Sequence, residues 1–308
     1  MTTIDPAGGP RLALGSCPDS WGVWFADDPL QTPWQRFLDE LSGVGYRWLE
    51  LGPYGYLPTD PARLTDELEQ RGLRVSGQAV GGPLHDAGRW DSTLAEARRV
   101  AELVTAVGGR FMVILPAAYR DEKTGASTAV RELDAEGWNT LIRQGDELGR
   151  IVSEEYGLTV ALHPHADSHV ETQAQVERFL HDTDPRYVSL CLDTGHFAYR
   201  HGDNVAIIEK YPERLGFLHI KGVDPEVLAV VDAEDLSFGE AVKRGVMAEP
   251  PNAEPKVEPI AAALKALDRD EVFVIVEQDL YPCEFDVPEP IARRTYDYLR
   301  SVGIGGDQ

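Results

Sequence analysis

The sequence lacks the features that would direct it into a membrane or a secretory route. No stretch of its 308 residues approaches the roughly 18 to 20 uninterrupted apolar residues of a membrane-spanning helix. Residues 1–10 contain no basic segment followed by an apolar one, so we expect no secretory signal there. The three cysteines are few and odd in number, and Cys17 and Cys191 lie in apolar, strand-like surroundings. We therefore expect reduced, buried thiols in a cytoplasmic protein.

Basic charge is also scarce. The chain has 29 Lys and Arg residues against 52 Asp and Glu residues, which gives a formal net charge of −23. Such a surface repels a phosphate backbone, because nucleic-acid binding depends on clustered Lys and Arg. The acidic residues are spread through the chain without a long single-sign tail, as is typical of a solvated surface. The charge balance therefore disfavours nucleic acid as a substrate.

Glycine-rich nucleotide motifs are missing as well. No Gly-x-Gly-x-x-Gly stands between a strand and a helix, and the sequence contains no phosphate-binding P-loop. The pair Gly81 and Gly82 is too short for either motif. The dinucleotide-binding fingerprint is therefore absent.

The chain does contain a regular alternation of strand-like and helix-like segments. The predicted strands are residues 11–17, 47–51, 74–80, 111–115, 158–162, 187–192, 215–220 and 272–276. The predicted helices are residues 33–44, 60–71, 92–107, 134–156, 171–181, 205–211, 257–267 and 287–302. Eight such pairs predict a single α/β domain over residues 1–308, a (β/α)8 TIM barrel, whereas a doubly wound sheet does not fit the count. Residues 222–256 are rich in acid and proline and are predicted as an active-site loop insertion.

Polar side chains stand at the carboxyl ends of the predicted strands, where barrel enzymes keep their catalytic groups. They are Trp21, Glu50, Gln78, His85, His163, His165, Asp193, His196, His219, Lys221, Glu277 and Asp279. Singly, a histidine in such a place is more often a hydrogen-bonded structural residue than a ligand. Imidazoles and carboxylates that end four separate strands would instead converge on one mouth of the barrel. A buried cluster of that kind must be paired or must coordinate a cation.

Six short segments at these strand ends resemble one family. They are Pro-Asp-Ser-Trp-Gly at 18–22, Trp-Leu-Glu-Leu-Gly at 48–52, His-Pro-His at 163–165, Leu-Asp-Thr-Gly-His at 192–196, His-Ile-Lys at 219–221 and Val-Glu-Gln-Asp at 276–279. The most specific piece is Leu-Asp-Thr-Gly-His combined with the later His-x-Lys. Over nearly its whole length the chain resembles the sugar phosphate isomerase/epimerase superfamily of xylose isomerase-like TIM barrels. Within it, the segments resemble the inosose (2-keto-myo-inositol) dehydratase-like branch.

The resemblance implies one divalent metal ion held by four side chains from strands five to eight. By position these are His163, Asp193, His219 and Glu277. Many members of the superfamily carry Glu where this chain has His163. Because alternate residues of a strand share a face, His163 and His165 can both point inward, and which of them binds the metal is left open. A donor set rich in histidine favours Mn²⁺ or Co²⁺, with Fe²⁺ or Zn²⁺ as alternatives, over Mg²⁺ or Ca²⁺.

The resemblance also implies roles for the other residues. A divalent cation polarises a ketone and stabilises the enediolate that forms when a base removes the α-proton. The predicted catalytic residues are His165, Lys221 and Glu277, with Lys221 at the leaving oxygen. The predicted substrate-binding residues are Trp21, Glu50, Gln78, His196 and Asp279. We expect the aromatic face of Trp21 to lie against the C–H face of the sugar, and residues 237–247 to form a loop with an amphipathic turn that covers the site.

The sequence thus predicts a cytoplasmic, metal-dependent carbon–oxygen lyase. Its substrate would be a small keto-polyol or keto-sugar resembling 2-keto-myo-inositol, dehydrated through an enediolate. The alternatives on the same site are a ketose isomerase or epimerase, and a lyase that eliminates the aglycone of a 3-keto-glycoside. A metal-dependent endonuclease of the same fold is disfavoured by the charge, and a non-catalytic sugar-binding protein by the complete ligand set. No membrane partner is expected, and the resemblance allows a homo-oligomer.

Overall fold

The computed structural model describes residues 9–306. The expectation that residues 1–10 hold no secretory signal concerns mainly residues 1–8, which lie outside the described residues. Within residues 9–306, no helix is long and apolar enough to cross a membrane.

Eight parallel strands close a barrel in which each strand pairs with the next and β8 pairs with β1. The strands are β1 Arg11–Ser16, β2 Trp48–Glu50, β3 Arg74–Gly82, β4 Phe111–Pro116, β5 Thr159–Leu162, β6 Val188–Asp193, β7 Leu215–Ile220 and β8 Glu271–Val276. Almost every strand residue is buried, as expected for a parallel sheet covered on its outer face by helices. The predicted (β/α)8 barrel is confirmed.

Helices fill the connections between the strands. They are α1 Trp34–Val44, α2 Pro61–Glu69, α3 Trp90–Ala106, α4 Ala135–Tyr156, α5 Gln173–Asp182, α6 Thr194–Tyr199, α7 Asn204–Lys210, α8 Pro225–Glu234, α9 Phe238–Lys243, α10 Val257–Lys265 and α11 Pro288–Ser301. Their ends follow local signals. Asp134, for example, accepts a hydrogen bond from the Gly137 N–H at the start of α4, and Gly157 ends that helix in the left-handed conformation.

Aromatic side chains fill the amino-terminal end of the barrel interior. The ring centroids of Phe111 and Phe217 lie 5.1 Å apart, and those of Phe217 and Phe273 lie 5.7 Å apart. Trp48 packs edge-on against Phe273, with centroids 4.9 Å apart. Arg11, Arg110 and Glu271 cover these rings at the amino-terminal end, whereas the carboxyl end is where the loops open to solvent and where an active site is expected.

The structure differs from the sequence prediction between residues 222 and 256. The predicted loop contains two helices, α8 and α9. Asp224 caps α8 through the N–H groups of Glu226 and Val227, and Pro225 occupies the first turn, where it needs no hydrogen-bond partner. Pro225, one of the prolines that suggested a loop, therefore begins a helix. The short helix α6, directly after β6, was also not predicted.

Candidate active site

Four side chains from β5 to β8 converge inside the carboxyl end of the barrel. The Nε2 atom of His163 lies 3.4 Å from Oδ2 of Asp193, and Nδ1 of His219 lies 3.7 Å from the same oxygen. The His219 Nδ1 atom also contacts Oε2 of Glu277. All four side chains are buried. The structure therefore brings the four predicted metal ligands into one cluster.

Local structure explains how Asp193 presents one free oxygen to this cluster. Asp193 is the last residue of β6 and the cap of α6, and its Oδ1 accepts a hydrogen bond of 2.6 Å from the His196 N–H. The register of the barrel sets Asp193 directly beside His219 on β7. Oδ2 is left pointing at the two histidines, without a hydrogen bond among the described residues.

The donor atoms of this cluster fit a divalent cation. Both ring nitrogens of His163 and Oδ2 of Asp193 are buried and make no hydrogen bond within the described chain. Buried polar atoms are nearly always hydrogen-bonded, so such unpartnered atoms require an explanation. Two imidazoles and two carboxylates are a donor set that Zn²⁺, Mn²⁺ and related cations accept.

Glu50 orients one of these imidazoles. The Nε2–H of His219 donates to Oε2 of Glu50 at 2.7 Å, and both side chains are buried. The Nδ1 atom of His219 faces Asp193 and Glu277, where it would offer its lone pair to a bound cation. A histidine that binds metal commonly donates its other N–H to a carboxylate in this way. Glu50, predicted to bind substrate, is therefore placed as a partner of His219.

His196 is close enough to be an alternative ligand. Ligand atoms of His163, Asp193, His196 and Glu277 lie within 4.8 Å of one another. Both ring nitrogens of His196 are already engaged, however. Nδ1 accepts from the Ala166 N–H at 3.2 Å, and Nε2 lies 3.1 Å from Nζ of Lys221. His219 has its Nδ1 directed at two carboxylates instead, so the geometry favours His219.

His165 has a different environment from His163. Its Nδ1–H donates to the carbonyl oxygen of Ala166 at 2.7 Å, which leaves the Nε2 lone pair free, and its ring lies on that of His196 with centroids 3.9 Å apart. Burial, with further effects of His163 and Lys221, lowers the pKa of His165 to about 3. His165 is thus a neutral base on the cavity wall.

Lys221 provides the positive charge of the site. Its Nζ atom lies 2.6 Å from Oε1 of Glu277, 2.6 Å from Oδ2 of Asp279 and 3.4 Å from Oδ2 of Asp193. Burial opposes the charge on Lys221, but the three carboxylates outweigh it and raise the pKa of the ammonium well above its ordinary value. Lys221 therefore stays protonated as a donor beside the cluster.

A cavity of about 370 Å³ opens above these groups. Its charged wall is made of carboxylates, those of Asp19, Glu50, Glu96, Glu122, Glu277 and Asp279. Its apolar wall includes the rings of Trp24, Phe25 and Phe238. Among the described residues, no Lys or Arg belongs to this lining. A larger groove of about 880 Å³ on the outer surface, beside Trp90 and Arg143, contains none of the strand-end groups.

Three predicted substrate-binding residues, Trp21, Gln78 and His196, do not line this cavity. Trp21 is completely buried, and its Nε1–H donates to Oε2 of Glu40 on α1 at 2.9 Å. The short 3₁₀ helix Pro18–Trp21 turns the indole outward against Phe37, so it cannot face a substrate. Gln78 is buried, and its amide nitrogen donates to the Gly52 carbonyl at 3.1 Å.

The structure adds residues that the sequence prediction missed. Asp19 and Trp24 lie in the loop after β1 and line the cavity. Burial and the nearby carboxylates of Glu277 and Asp279 raise the pKa of Asp19 well above its usual range. Asp19 belongs to the segment 18–22 that carries the resemblance. The segment follows β1, so the expectation that functional groups stand at the carboxyl ends of barrel strands could have identified Asp19. Phe238 comes from α9, within the segment 237–247 that was expected to cover the site, but it was not singled out as a lining residue.

Comparison with known proteins identifies similar chains. A family model described as a xylose isomerase-like TIM barrel matches residues 38–302. An inosose dehydratase of Geobacillus kaustophilus is 29% identical over 314 residues, covering 96% of this chain and 95% of that protein. An inosose dehydratase of Erwinia tasmaniensis is 31% identical over 269 residues, covering 84% of each protein.

Solved structures share the fold. The IOLI protein with a bound zinc atom superposes with a TM-score of 0.70 at 16% identity, over 94% of this chain and 97% of that one. The 3-keto-D-glucoside 4-epimerase YcjR of E. coli gives a TM-score of 0.67 at 16% identity, over 94% of this chain and 100% of that one. At these identities the solved structures establish the shared barrel alone.

Proposed function

Because the chain belongs to the xylose isomerase-like TIM barrel family, we propose that it is a divalent-metal-dependent dehydratase of a keto-polyol or keto-sugar. The curated relatives, which are named inosose dehydratases, support an enzyme acting on sugars. A substrate resembling 2-keto-myo-inositol is the finer part of the proposal. A cytoplasmic location is also part of it, consistent with three free cysteines.

The observation that carries this proposal is the chemistry of the cavity wall. A donor set suited to a cation lies below a wall whose charged groups are all carboxylates. Carboxylates accept hydrogen bonds from hydroxyl groups but repel phosphate and carboxylate. An uncharged molecule with many hydroxyls and one ketone satisfies both features. This supports a neutral keto-polyol over a sugar phosphate.

We propose His163, Asp193, His219 and Glu277 as the metal ligands. The unpartnered nitrogens of His163 and the Glu50–His219 hydrogen bond support this set. Mn²⁺ or Co²⁺ is the expected ion, with Fe²⁺ or Zn²⁺ as alternatives. When bound, the cation polarises the keto oxygen of the substrate and stabilises the negative charge that develops there.

The remaining side chains supply the proton transfers. His165 presents an unprotonated Nε2 to the cavity and takes the proton next to the ketone, which gives the enediolate. Lys221 is protonated and is the proposed donor to the departing hydroxyl group, although its ammonium lies behind Glu277 and Asp279 and not in the cavity lining. Glu277 accepts a hydrogen bond from Nζ of Lys221 and Asp279 forms an ion pair with it, and together they hold the ammonium group in place. Asp279 lines the cavity, where it can bind a substrate hydroxyl, whereas His196 lies behind the lining with both ring nitrogens engaged.

The test uses metal-loaded protein with 2-keto-myo-inositol and a panel of ketoses in deuterated water. Dehydration gives the ultraviolet absorbance of an unsaturated diketone. Deuterium uptake without that absorbance indicates an isomerase or epimerase and contradicts the dehydratase proposal. If no substrate reacts, both the dehydratase proposal and the isomerase or epimerase alternative are contradicted. The His165→Gln variant is the control, because it should keep the metal and lose both signals.

A further inference from the structure

Helix α9 lies across one side of the cavity and delivers a single aromatic ring to it. Phe238, its first residue, is 4% exposed. The ring centroid of Phe238 lies 4.7 Å from that of His196 and 5.2 Å from that of His165. On its other sides the ring packs against Tyr199 and Trp24. Phe238 therefore forms the apolar wall beside the proposed base.

A buried carboxylate holds the backbone at this point. Oδ2 of Asp167, in the loop after β5, accepts a hydrogen bond of 2.7 Å from the Phe238 N–H. The two residues are 71 positions apart, so the bond ties α9 to the far side of the site. Asp167 adopts a φ of 60°, a left-handed conformation that few residues other than glycine, Asn and Asp accept. The loop thus keeps a strained backbone with its carboxylate aimed at α9.

A wider network fixes the direction of this carboxylate. Oδ1 of Asp167 accepts from Nη2 of Arg200 at 2.8 Å and from the hydroxyl of Tyr119 at 3.3 Å. The Asp167 N–H donates to Oε2 of Glu171 at 2.9 Å, and that oxygen also accepts from Nε of Arg200 at 2.6 Å. Arg200 follows α6, the helix that Asp193 caps. The network therefore connects the helix after β6 to the backbone of Phe238.

We propose that Asp167 is a positioning residue that holds Phe238 in the cavity wall, where the ring contacts C–H groups of the substrate. This rests on the proposed function, because it assigns to Phe238 the aromatic contact that the sequence analysis gave to Trp21. An aromatic wall of this kind contacts the substrate before and during the reaction alike. Such uniform binding lowers KM without raising kcat. Asp167 therefore acts on KM through Phe238.

The Asp167→Asn variant tests the link with minimal change of shape. Arg200 is charged and forms the stronger hydrogen bond, so it retains the amide oxygen and turns the amide NH₂ toward the Phe238 N–H. Two donors then face each other, and the start of α9 shifts. We expect KM for 2-keto-myo-inositol to rise about tenfold, which corresponds to about 1.4 kcal/mol, with kcat within about threefold of wild type.

The double variant separates positioning from general stability. Phe238→Ala should raise KM by at least as much as Asp167→Asn, and adding Asp167→Asn to Phe238→Ala should change KM by no more than about twofold. Additive effects, an unchanged KM in Asp167→Asn, or a loss confined to kcat would each overturn the proposal. Asp235→Asn is the matched control. Asp235 pairs with Arg120 next to α9 but does not contact Phe238, so both constants should stay within about twofold of wild type.

Hydrogen exchange at the Phe238 amide gives a readout that needs no substrate. The bond to Asp167 should protect this amide in the wild type, and Asp167→Asn should speed its exchange at least tenfold while Asp235→Asn leaves it unchanged. Equal exchange in Asp167→Asn and wild type would overturn the positioning role. If the wild type turns over no substrate while the exchange result holds, the proposed function has failed and the link between Asp167 and Phe238 stands.

Discussion

At the scale of single residues, His163 and His165 show how two neighbours on one segment acquire different chemistry. Both point into the barrel, as the alternation of a strand predicts. The nitrogens of His163 have no hydrogen-bond partner among the described residues, whereas Nδ1 of His165 is bonded to the Ala166 carbonyl. The sequence left the strand-five ligand open, and these contacts favour His163 as the ligand and His165 as the base.

This distinction can be tested with two alanine variants. His163→Ala removes a proposed ligand and should lower the metal content of the purified protein to about a tenth or less. His165→Ala should keep the full metal content and reduce kcat by about 10²- to 10⁴-fold, as expected for loss of a general base. Elemental analysis and initial rates measure the two effects. The reverse pattern, with metal lost only from the His165 variant, would assign the ligand to His165.

Glu50 permits a second residue-scale prediction. Its carboxylate accepts the Nε2–H of His219, and loss of such a partner commonly weakens metal binding about 10- to 100-fold. We expect this loss for Glu50→Gln in a competition titration against a chelator. Glu40→Gln is the matched control, because Glu40 binds Trp21 and Arg36 outside the cavity and its loss should leave metal affinity unchanged. Equal affinity in the two variants would show that Glu50 does not orient the ligand.

At the scale of elements, two glycines within helices have opposite surroundings. A Cβ added at Gly43 in α1 would meet no atom within 4 Å, whereas one at Gly149 in α4 would lie 2.5 Å from the Tyr187 carbonyl oxygen. Helix α4 therefore approaches the chain before β6 so closely that only glycine fits. Helix propensity alone would treat the two positions alike.

The two positions give opposite predictions for alanine. Gly43→Ala should raise the free energy of unfolding by about 0.5 to 1 kcal/mol, because alanine loses less backbone entropy in a helix. Gly149→Ala should lower it by about 1 to 3 kcal/mol, because a backbone atom must move to admit the methyl group. Urea unfolding followed by circular dichroism measures both. Stabilisation by Gly149→Ala would contradict the close packing of α4.

At the scale of the whole molecule, the proposed site brings together carboxylates from segments that are far apart in the sequence. Asp193, Glu277 and Asp279 are buried around the ammonium group of Lys221, and Glu50 is buried beside His219. These carboxylates come from the ends of β2 and β6 and from the segment after β8, so their repulsion acts across the closed barrel. A bound cation would relieve it and link metal occupancy to global stability.

Metal removal should therefore lower the thermal midpoint. At a free metal concentration of about 100 times Kd, binding contributes about 2.7 kcal/mol, and its loss should lower Tm by about 5 °C in a chain of this size. Differential scanning calorimetry with and without chelator measures the shift, and added Mn²⁺ should restore it. The His163→Ala variant should show no chelator effect. A chelator effect of the same size in wild type and His163→Ala would contradict the proposed ligand.

The sequence by itself determined the barrel and the position of the polar groups along the chain. Strand and helix periods are local, and so are the caps, which is why the eight strand and helix pairs agree with the structure. The ends of parallel strands share one side of a barrel, so the meeting of His163, Asp193, His219 and Glu277 also followed from sequence order. The inosose dehydratase-like resemblance rested on the same segments and is confirmed by the relatives.

Only the tertiary structure decided which way each side chain turns and what it contacts. Trp21 and Gln78 stand where a wall was expected, yet the indole bonds to Glu40 and the amide bonds to the Gly52 carbonyl. Phe238 lies at the site, and Asp167, 71 residues earlier, accepts its N–H. Such pairings depend on packing between segments far apart in the chain. Local pattern cannot specify them, because it fixes a residue's place on a strand or helix but not the partner that the folded barrel brings beside it.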